Sequence, residues 1–230
     1  MLPHNMGVMF KPKAKVRLMT AAKILCPKPG GYGKIVAGSQ QGLARILFAI
    51  YGQRRMGKMK EALLIIDVQN DYFPGGSNEL FHQLEAEKRI EELIAESRAC
   101  GRPIIYIQHL NPPDDTFFLE GTFGAEIYGR IRPRPEDKVI IKRYPNSFLE
   151  TELDDYLKSL QADTLIVCGM MTHMCVDTTV RAAMDHGYQV KLAADACATM
   201  DLALNGETIP AEMVHKAFIA ALDGVFATIV

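Results

Sequence analysis

The feature that most constrains the fold is the alternation of short apolar segments with helical ones along residues 62–230. Apolar, β-branched runs predict six strands, near residues 62–67, 103–108, 138–142, 163–168, 188–193 and 225–229. Helical spacing of apolar residues predicts helices near 83–100, 148–160, 174–186 and 210–222, with a weaker one near 121–129. This alternation predicts a three-layer α/β/α fold around a six-stranded parallel sheet.

The amino-terminal segment differs in charge from the rest of the chain. Residues 1–60 hold 12 of the 26 basic residues and none of the 27 acidic ones. We therefore predict a folded domain over residues 59–230 and a basic extension, residues 1–58, outside its core. Three interpretations of the extension stay open: upstream sequence before a natural start at Met59, a targeting segment, or a basic tail for nucleic acid or membrane.

Composition narrows the class of protein. With 230 residues and 48% hydrophobic content, the chain can bury one good core. The apolar run at residues 42–52 is too short to span a bilayer, and the glycines of PGGYG lack the strand and helix that a phosphate-binding loop needs. Five cysteines, an odd number, are typical of a reducing compartment. We expect a cytoplasmic protein with a small-molecule substrate and no nucleic-acid or membrane partner.

Three chemically reactive side chains follow predicted strands. Asp67 ends ALLIID, Lys142 ends KVIIK, and Cys175 opens a helix just after DTLIVC and its closing Gly169. The carboxyl ends of parallel strands meet at one edge of a sheet, where α/β proteins bind their ligands. Taken singly, Asp67 and Lys142 could be ordinary surface charges, and Cys175 could be a buried structural cysteine. Together, a carboxylate, an ammonium and a thiol make one chemical set. A helix N-terminus and Lys142 would both lower the thiol pKa.

The motifs around these residues resemble one family. DVQNDYF from Asp67, KRYPNSF from Lys142 and CGMMTHMCVDTTVRAA from Cys168, followed by GY and ADACAT, are similar to the isochorismatase-like cysteine hydrolases, which include nicotinamidases, N-carbamoylsarcosine amidase and ureidoacrylate amidases. The resemblance covers residues 59–230. It implies a catalytic triad of Asp67, Lys142 and Cys175. It also implies a cis peptide between Met170 and Met171 that helps to build an oxyanion hole.

These residues predict a mechanism. Asp67 is suited to accept the thiol proton and pass it to the leaving nitrogen, while Lys142 stays protonated. The backbone N–H groups of Met171 and Cys175 are the predicted oxyanion donors. We therefore predict a cysteine amidohydrolase that cleaves a C–N bond of a small amide, ureide or lactam through a thioester acyl-enzyme.

Other polar and aromatic residues are candidates for substrate binding. They are Gln69, Phe73, His109 and His173, each of which could instead be structural. Thr172 is a candidate helix cap, and Ser147 with Glu150 reads as a capping box for the helix that follows. The long loop at residues 111–123 suits a lid or an oligomer contact, and we expect a homodimer or homotetramer.

No metal-ligand motif is evident in the sequence. Metal-dependent nicotinamidases carry an Asp-x-His pair after the second strand, where this chain has His109 followed by Asn111, and neither HxxxH nor CxxC occurs. We therefore predict no metal and no other cofactor. Three alternatives stay open: a catalytically silent family member used as a binding or assembly module, a metal-assisted nicotinamidase-like enzyme, and a thiol-redox role for Cys175.

Overall fold

A parallel six-stranded sheet forms the centre of the molecule. The computed structural model describes residues 60–230, so the predictions for residues 1–58 lie outside the described residues. The strands within these described residues are β1 (Glu61–Ile66), β2 (Ile104–His109), β3 (Lys138–Lys142), β4 (Thr164–Met170), β5 (Gln189–Ala198), β6 (Leu202–Leu204), β7 (Glu207–Ile209) and β8 (Thr228–Ile229). The main sheet has the order β3-β2-β1-β4-β5-β8, with all neighbours parallel.

Helices cover both faces of this sheet. They are α1 (Gln83–Cys100), α2 (Leu153–Ser159), α3 (Asp177–Asp185) and α4 (Ala211–Leu222), and a π-helical turn, Thr172–Val176, leads into α3. Leu63 and Ile65 of β1 pack in the core that contains α1, whereas Leu64 and Ile66 pack in the core that contains α2 and α3. Burial on both faces is why the central strands β1 and β4 are nearly continuous apolar runs. The predicted three-layer α/β/α fold is confirmed.

The structure differs from the prediction in several segments. The region near 121–129 forms two short 3₁₀ turns, Phe123–Ala125 and Gly129–Ile131, and α2 begins later than predicted. The predicted capping box is wrong, because the Ser147 hydroxyl lies 2.8 Å from that of Thr179 and Glu150 adopts a left-handed turn conformation at φ 55°.

The small hairpin formed by β6 and β7 was not predicted, although its turn has a clear sequence signal. Asn205 and Gly206 connect the two antiparallel strands, and both have positive φ, 52° and 84°. An Asn-Gly pair is the favoured turn of a two-residue hairpin because both residues tolerate this conformation.

A close approach of β4 to β1 sets the geometry of the carboxyl edge. Gly169 has φ 125°, and a Cβ there would lie 2.1 Å from the carbonyl oxygen of Ile66. Only glycine fits this position. Among residues 60–230, no helix is long and apolar enough to cross a membrane.

Candidate active site

Asp67, Lys142 and Cys175 converge at the carboxyl edge of the sheet. Asp67 directly follows β1, Lys142 ends β3, and Cys175 lies in the π-helical turn after β4. Lys142 Nζ is 2.7 Å from Asp67 Oδ2, and both side chains are completely buried. Cys175 is 4% exposed, and its Sγ lies within 4.8 Å of a carboxylate oxygen of Asp67. The structure thus brings together the three residues that the sequence singles out.

The Lys142 ammonium is held from several sides. Besides Asp67, it contacts His109 Nδ1 at 3.1 Å and donates to the carbonyl oxygens of Tyr144, at 3.1 Å, and Pro145, at 3.4 Å. A buried ammonium requires this many partners because its desolvation is costly. The contacts fix the cation beside the Asp67 carboxylate.

Charges and burial set the protonation states of the site. Burial alone would raise the pKa of Asp67, but Lys142 and His109 hold it below its ordinary value. Burial opposes the charge of Lys142 too, yet Asp67 and Cys175 raise its pKa. Burial and the Asp67 carboxylate raise the pKa of Cys175, and Lys142 offsets this only in part. At rest the site is a carboxylate–ammonium pair beside a neutral thiol.

The predicted low pKa of Cys175 is therefore wrong for the resting protein. Burial exceeds the effect of the nearby lysine, and the thiol lies in a π-helical turn rather than in the first turn of α3. Burial also raises the pKa of Cys197, to about 12. A lowered thiol pKa therefore does not distinguish Cys175 from the other buried cysteines. Its distinguishing feature is its neighbours.

The turn between β4 and Cys175 contains the cis peptide predicted between Met170 and Met171. The Met171 carbonyl accepts the N–H groups of Met174 and Val176, at 3.1 and 3.2 Å, which closes the turn around the cysteine. The role of the Met171 and Cys175 N–H groups as oxyanion donors stays a prediction.

His109 lies at the end of β2, between the strands that carry Asp67 and Lys142. Its Nδ1 is 3.8 Å from Asp67 Oδ2 and 3.9 Å from Cys175 Sγ. Gln69 fixes the backbone of His109, because its Oε1 accepts the His109 N–H and its Nε2 donates to the His109 carbonyl, both at 2.8 Å. His109 is thus placed in contact with the site, as a substrate-binding residue would be.

Two of the predicted substrate contacts, Gln69 and Phe73, also have structural roles. Gln69 is fully buried, and its Nε2 also donates to the Ala125 carbonyl at 2.8 Å, so both amide hydrogens are used. Phe73 is 1% exposed and stacks on Tyr128 with ring centroids 3.6 Å apart. Both side chains therefore stabilise the structure around the site, and their contact with a substrate stays a prediction.

His173 and Thr172 lie in the same turn as Cys175 but face β5 and α4. His173 Nδ1 contacts the Thr199 hydroxyl, and burial lowers the pKa of the imidazole. Substrate contact by His173 stays a prediction. Thr172 is not a helix cap, because its hydroxyl donates to the Ala198 carbonyl at 3.2 Å and lies 3.0 Å from His215 Nδ1.

The loop after β2 packs beside the site, and it is held there by contacts that the sequence did not reveal. Phe118 is completely buried, with its ring centroid 4.6 Å from that of Tyr72 and 6.2 Å from that of His109. The Asp71 carboxylate holds this loop by accepting the N–H group of Phe118 at 2.7 Å, and it also accepts that of Ser77, in its own segment, at 3.1 Å. A local sequence pattern does not reveal this role of Asp71, because Phe118 lies 47 residues away.

Comparison with known proteins places this site in a family. The isochorismatase domain model matches residues 61–230, which include every residue of the site. The chain belongs to the isochorismatase family. It is therefore a hydrolase of that family, as the sequence motifs predicted.

Relatives of this isochorismatase-family chain include proteins of bacteria. It is 44% identical to the isochorismatase family protein YddQ of Bacillus subtilis over 172 residues, 74% of this chain and 96% of YddQ. It is 32% identical to a streptothricin hydrolase of Streptomyces noursei over 161 residues, 68% of this chain and 63% of that protein. The structure of an isochorismatase from Pseudomonas putida KT2440 matches with a TM-score of 0.71 and 35% identity, covering 80% of this chain and 95% of that one.

Proposed function

We propose that this protein is a cysteine hydrolase that cleaves a C–N bond of a small amide, ureide or lactam through a thioester acyl-enzyme. The observation that carries the proposal is the buried Asp67–Lys142 ion pair beside the Cys175 thiol. The names of relatives support the bond type: a streptothricin hydrolase, Nicotinamidase 3 of Arabidopsis thaliana and the ureidoacrylate amidohydrolase RutB of Methylobacterium radiotolerans.

The neutral thiol determines how the first step proceeds. The thiolate forms only as a substrate carbonyl arrives, when the Cys175 proton moves to Asp67 and sulfur attacks the carbonyl carbon. This transfer leaves the total charge of the site unchanged. Because both Asp67 and Cys175 raise the pKa of Lys142, the ammonium can pair with whichever of them is anionic. Lys142 thereby lowers the cost of the transfer without giving up a proton.

The remaining steps use the same groups, with Asp67 first giving up and then accepting a proton. The carbonyl π electrons move to oxygen, and the N–H groups of Met171 and Cys175 are proposed to stabilise this oxyanion. As the carbonyl re-forms, the C–N bond breaks and the leaving nitrogen takes the proton from Asp67. Asp67 then accepts a proton from water, the hydroxide attacks the thioester, and the proton returns to the departing sulfur.

A metal-assisted, nicotinamidase-like reaction does not fit the residues that follow β2. The amide of Gln108 donates to the Ala125 carbonyl at 2.8 Å, and that of Asn111 donates to the Phe117 carbonyl at 3.0 Å. Both amides therefore serve to hold the loop, so of these three neighbouring residues only His109 offers a ligand beside the catalytic groups. We propose a reaction whose steps use only the side chains and backbone of this chain.

The proposal is tested by screening small amides, ureides and lactams for ammonia or amine release with the wild-type protein, Cys175→Ala and Cys168→Ala. Cys168 is a matched control, since it is another buried free cysteine and lies in β4 outside the site. We expect at least one compound to be hydrolysed by the wild type and Cys168→Ala but not by Cys175→Ala. Equal hydrolysis by all three would reject the nucleophile.

Location and assembly are further parts of the proposal. We propose a cytoplasmic homodimer or homotetramer with a small-molecule substrate and neither nucleic acid nor membrane as a partner. Light scattering on the purified protein measures the subunit number, and a monomer at micromolar concentration would contradict the assembly.

A further inference from the structure

Three atoms around the thiol have the chemistry and spacing of metal ligands. A carboxylate oxygen of Asp67, an imidazole nitrogen of His109 and Cys175 Sγ all lie within 4.8 Å of one another, and all three residues are buried. Nδ1 of His109 is 3.8 Å from Asp67 Oδ2 and 3.9 Å from Cys175 Sγ. Zinc bonds of about 2.0–2.3 Å in tetrahedral geometry separate ligand atoms by roughly 3.3–3.7 Å. Small shifts of these three side chains would therefore bring their ligand atoms to the spacing that zinc requires.

The Lys142 ammonium already occupies the place of a cation in this set. Its Nζ lies 2.7 Å from Asp67 Oδ2 and 3.1 Å from His109 Nδ1, which are two of the three ligand atoms. A metal ion would need the same lone pairs and would have to displace the ammonium or approach its positive charge. The site thus suits a cation, but the Lys142 ammonium already occupies the position that a metal ion would take.

We propose that Asp67, His109 and Cys175 bind a thiophilic divalent cation such as Zn²⁺, that binding inhibits hydrolysis, and that Lys142 keeps the affinity low. Inhibition rests on the proposed function, whereas binding does not. On binding, the thiol proton passes to solvent, a sulfur lone pair forms the bond to zinc, and no oxidation occurs. The metal would then hold both the nucleophile and the proton acceptor of the proposed reaction.

The surroundings of His109 suit a weak, reversible site better than a resident cofactor. A metal-bound histidine usually donates its second ring N–H to a partner, which orients the ring and strengthens the bond. Here Nε2 of His109 is buried with no hydrogen-bond partner in the part of the chain that the structure describes. The metal would lack this support and compete with Lys142 as well.

The test measures Zn²⁺ binding directly, by equilibrium dialysis of the chelator-treated full-length protein, with Co²⁺ absorption to report thiolate coordination. His109→Phe removes one ligand, and His173→Phe is the matched control, because His173 is bonded to Thr199 outside the ligand set. We expect His109→Phe to weaken Zn²⁺ binding at least tenfold, His173→Phe to leave it within twofold, and the wild-type Co²⁺ complex to show a thiolate charge-transfer band.

Lys142→Met tests the role of the built-in cation. We expect it to bind Zn²⁺ at least tenfold more tightly than the wild type and to melt at a higher temperature with Zn²⁺ than without, since a ligand that binds only the folded state stabilises it. If Lys142→Met does not fold, the comparison of His109→Phe with His173→Phe decides the question.

Several results would overturn the proposal. They are equal Zn²⁺ affinity in His109→Phe and the wild type, no gain in affinity in a folded Lys142→Met, or stimulation of wild-type hydrolysis by Zn²⁺. These outcomes are separate from the test of the proposed function. If hydrolysis depends on Cys175 but His109→Phe binds Zn²⁺ as tightly as the wild type, only the metal site is rejected. Zn²⁺ binding as expected in a protein that hydrolyses nothing would reject only the hydrolase.

Discussion

Breaking the buried Asp67–Lys142 ion pair from one side should destabilise the fold more than removing both charges. Lys142→Met leaves the Asp67 carboxylate buried without its cation, and Asp67→Asn leaves the ammonium without its anion. Their atoms are 2.7 Å apart and both side chains are completely buried, so solvent cannot replace the lost partner. Asparagine is chosen at position 67 because it tolerates the left-handed conformation there, at φ 51°.

The magnitude follows from the burial of the pair. Removing one partner of a buried ion pair typically costs about 3–5 kcal/mol, a large fraction of the roughly 5–15 kcal/mol that stabilises a domain. Removing both charges leaves neither one uncompensated. We therefore expect the free energy of unfolding of Asp67→Asn/Lys142→Met to exceed the additive value by about 2 kcal/mol or more.

Urea unfolding of the wild type, both single variants and the double variant at pH 7 and pH 5 measures this coupling. Lys142 lowers the pKa of Asp67, so the stability from this carboxylate is present above its unfolded pKa and is lost as pH falls through the folded value. In Lys142→Met, burial acts without the ammonium and raises that pKa. The loss of unfolding free energy in Lys142→Met, relative to the wild type, should therefore be smaller at pH 5 than at pH 7, because the Asp67 carboxyl takes up a proton.

Two outcomes would refute this reasoning. One is a Lys142→Met protein destabilised by less than about 1 kcal/mol at pH 7, which would mean that water or rearrangement compensates the carboxylate. The other is strict additivity in the double variant, which would mean that the two charges do not interact.

Further predictions concern the thiol, the loop and metal dependence. Cys175 should react with iodoacetamide slowly at pH 7, because burial keeps it protonated, and Lys142→Met should shift the pH profile of alkylation upward; an unchanged profile would exclude Lys142 as its electrostatic partner. Gln69→Leu should lower the free energy of unfolding by at least about 2 kcal/mol, since it strands buried partners of three hydrogen bonds, whereas Gln108→Leu, which loses one bond, should cost less; equal costs would contradict this role. Hydrolysis should survive exhaustive chelation, and a loss that zinc restores would revive the metal-assisted alternative.

Much of the fold could be predicted because local patterns determine it. Residues 62–66 of β1 are buried on both faces, so they form an uninterrupted apolar run that predicts a central parallel strand. The segment after Lys142 could not be predicted from its local pattern, because Ser147 bonds to Thr179, 32 residues away, instead of capping the next helix. Sequence patterns describe near neighbours, and this contact joins distant parts of the chain.

Local sequence patterns also predict some features of the candidate site and not others. Asp67, Lys142 and Cys175 could be found because each lies at or just beyond the carboxyl end of a strand, and parallel strands bring these ends together. The role of Gln69 could not, because its partners His109 and Ala125 lie 40 and 56 residues away. The direction of the Cys175 pKa shift could not either, since it depends on how completely the surrounding chain excludes water.

The rate of hydrolysis by Cys175→Ala, on the best substrate found for the wild type, tests the central claim most directly. We predict a loss of at least about 10³-fold in kcat, since removing a nucleophile leaves only binding and the oxyanion donors to act. The melting temperature should stay within a few degrees of the wild type, because a small buried side chain is replaced by a slightly smaller one. A folded Cys175→Ala protein that retains a tenth or more of the wild-type rate would contradict the account.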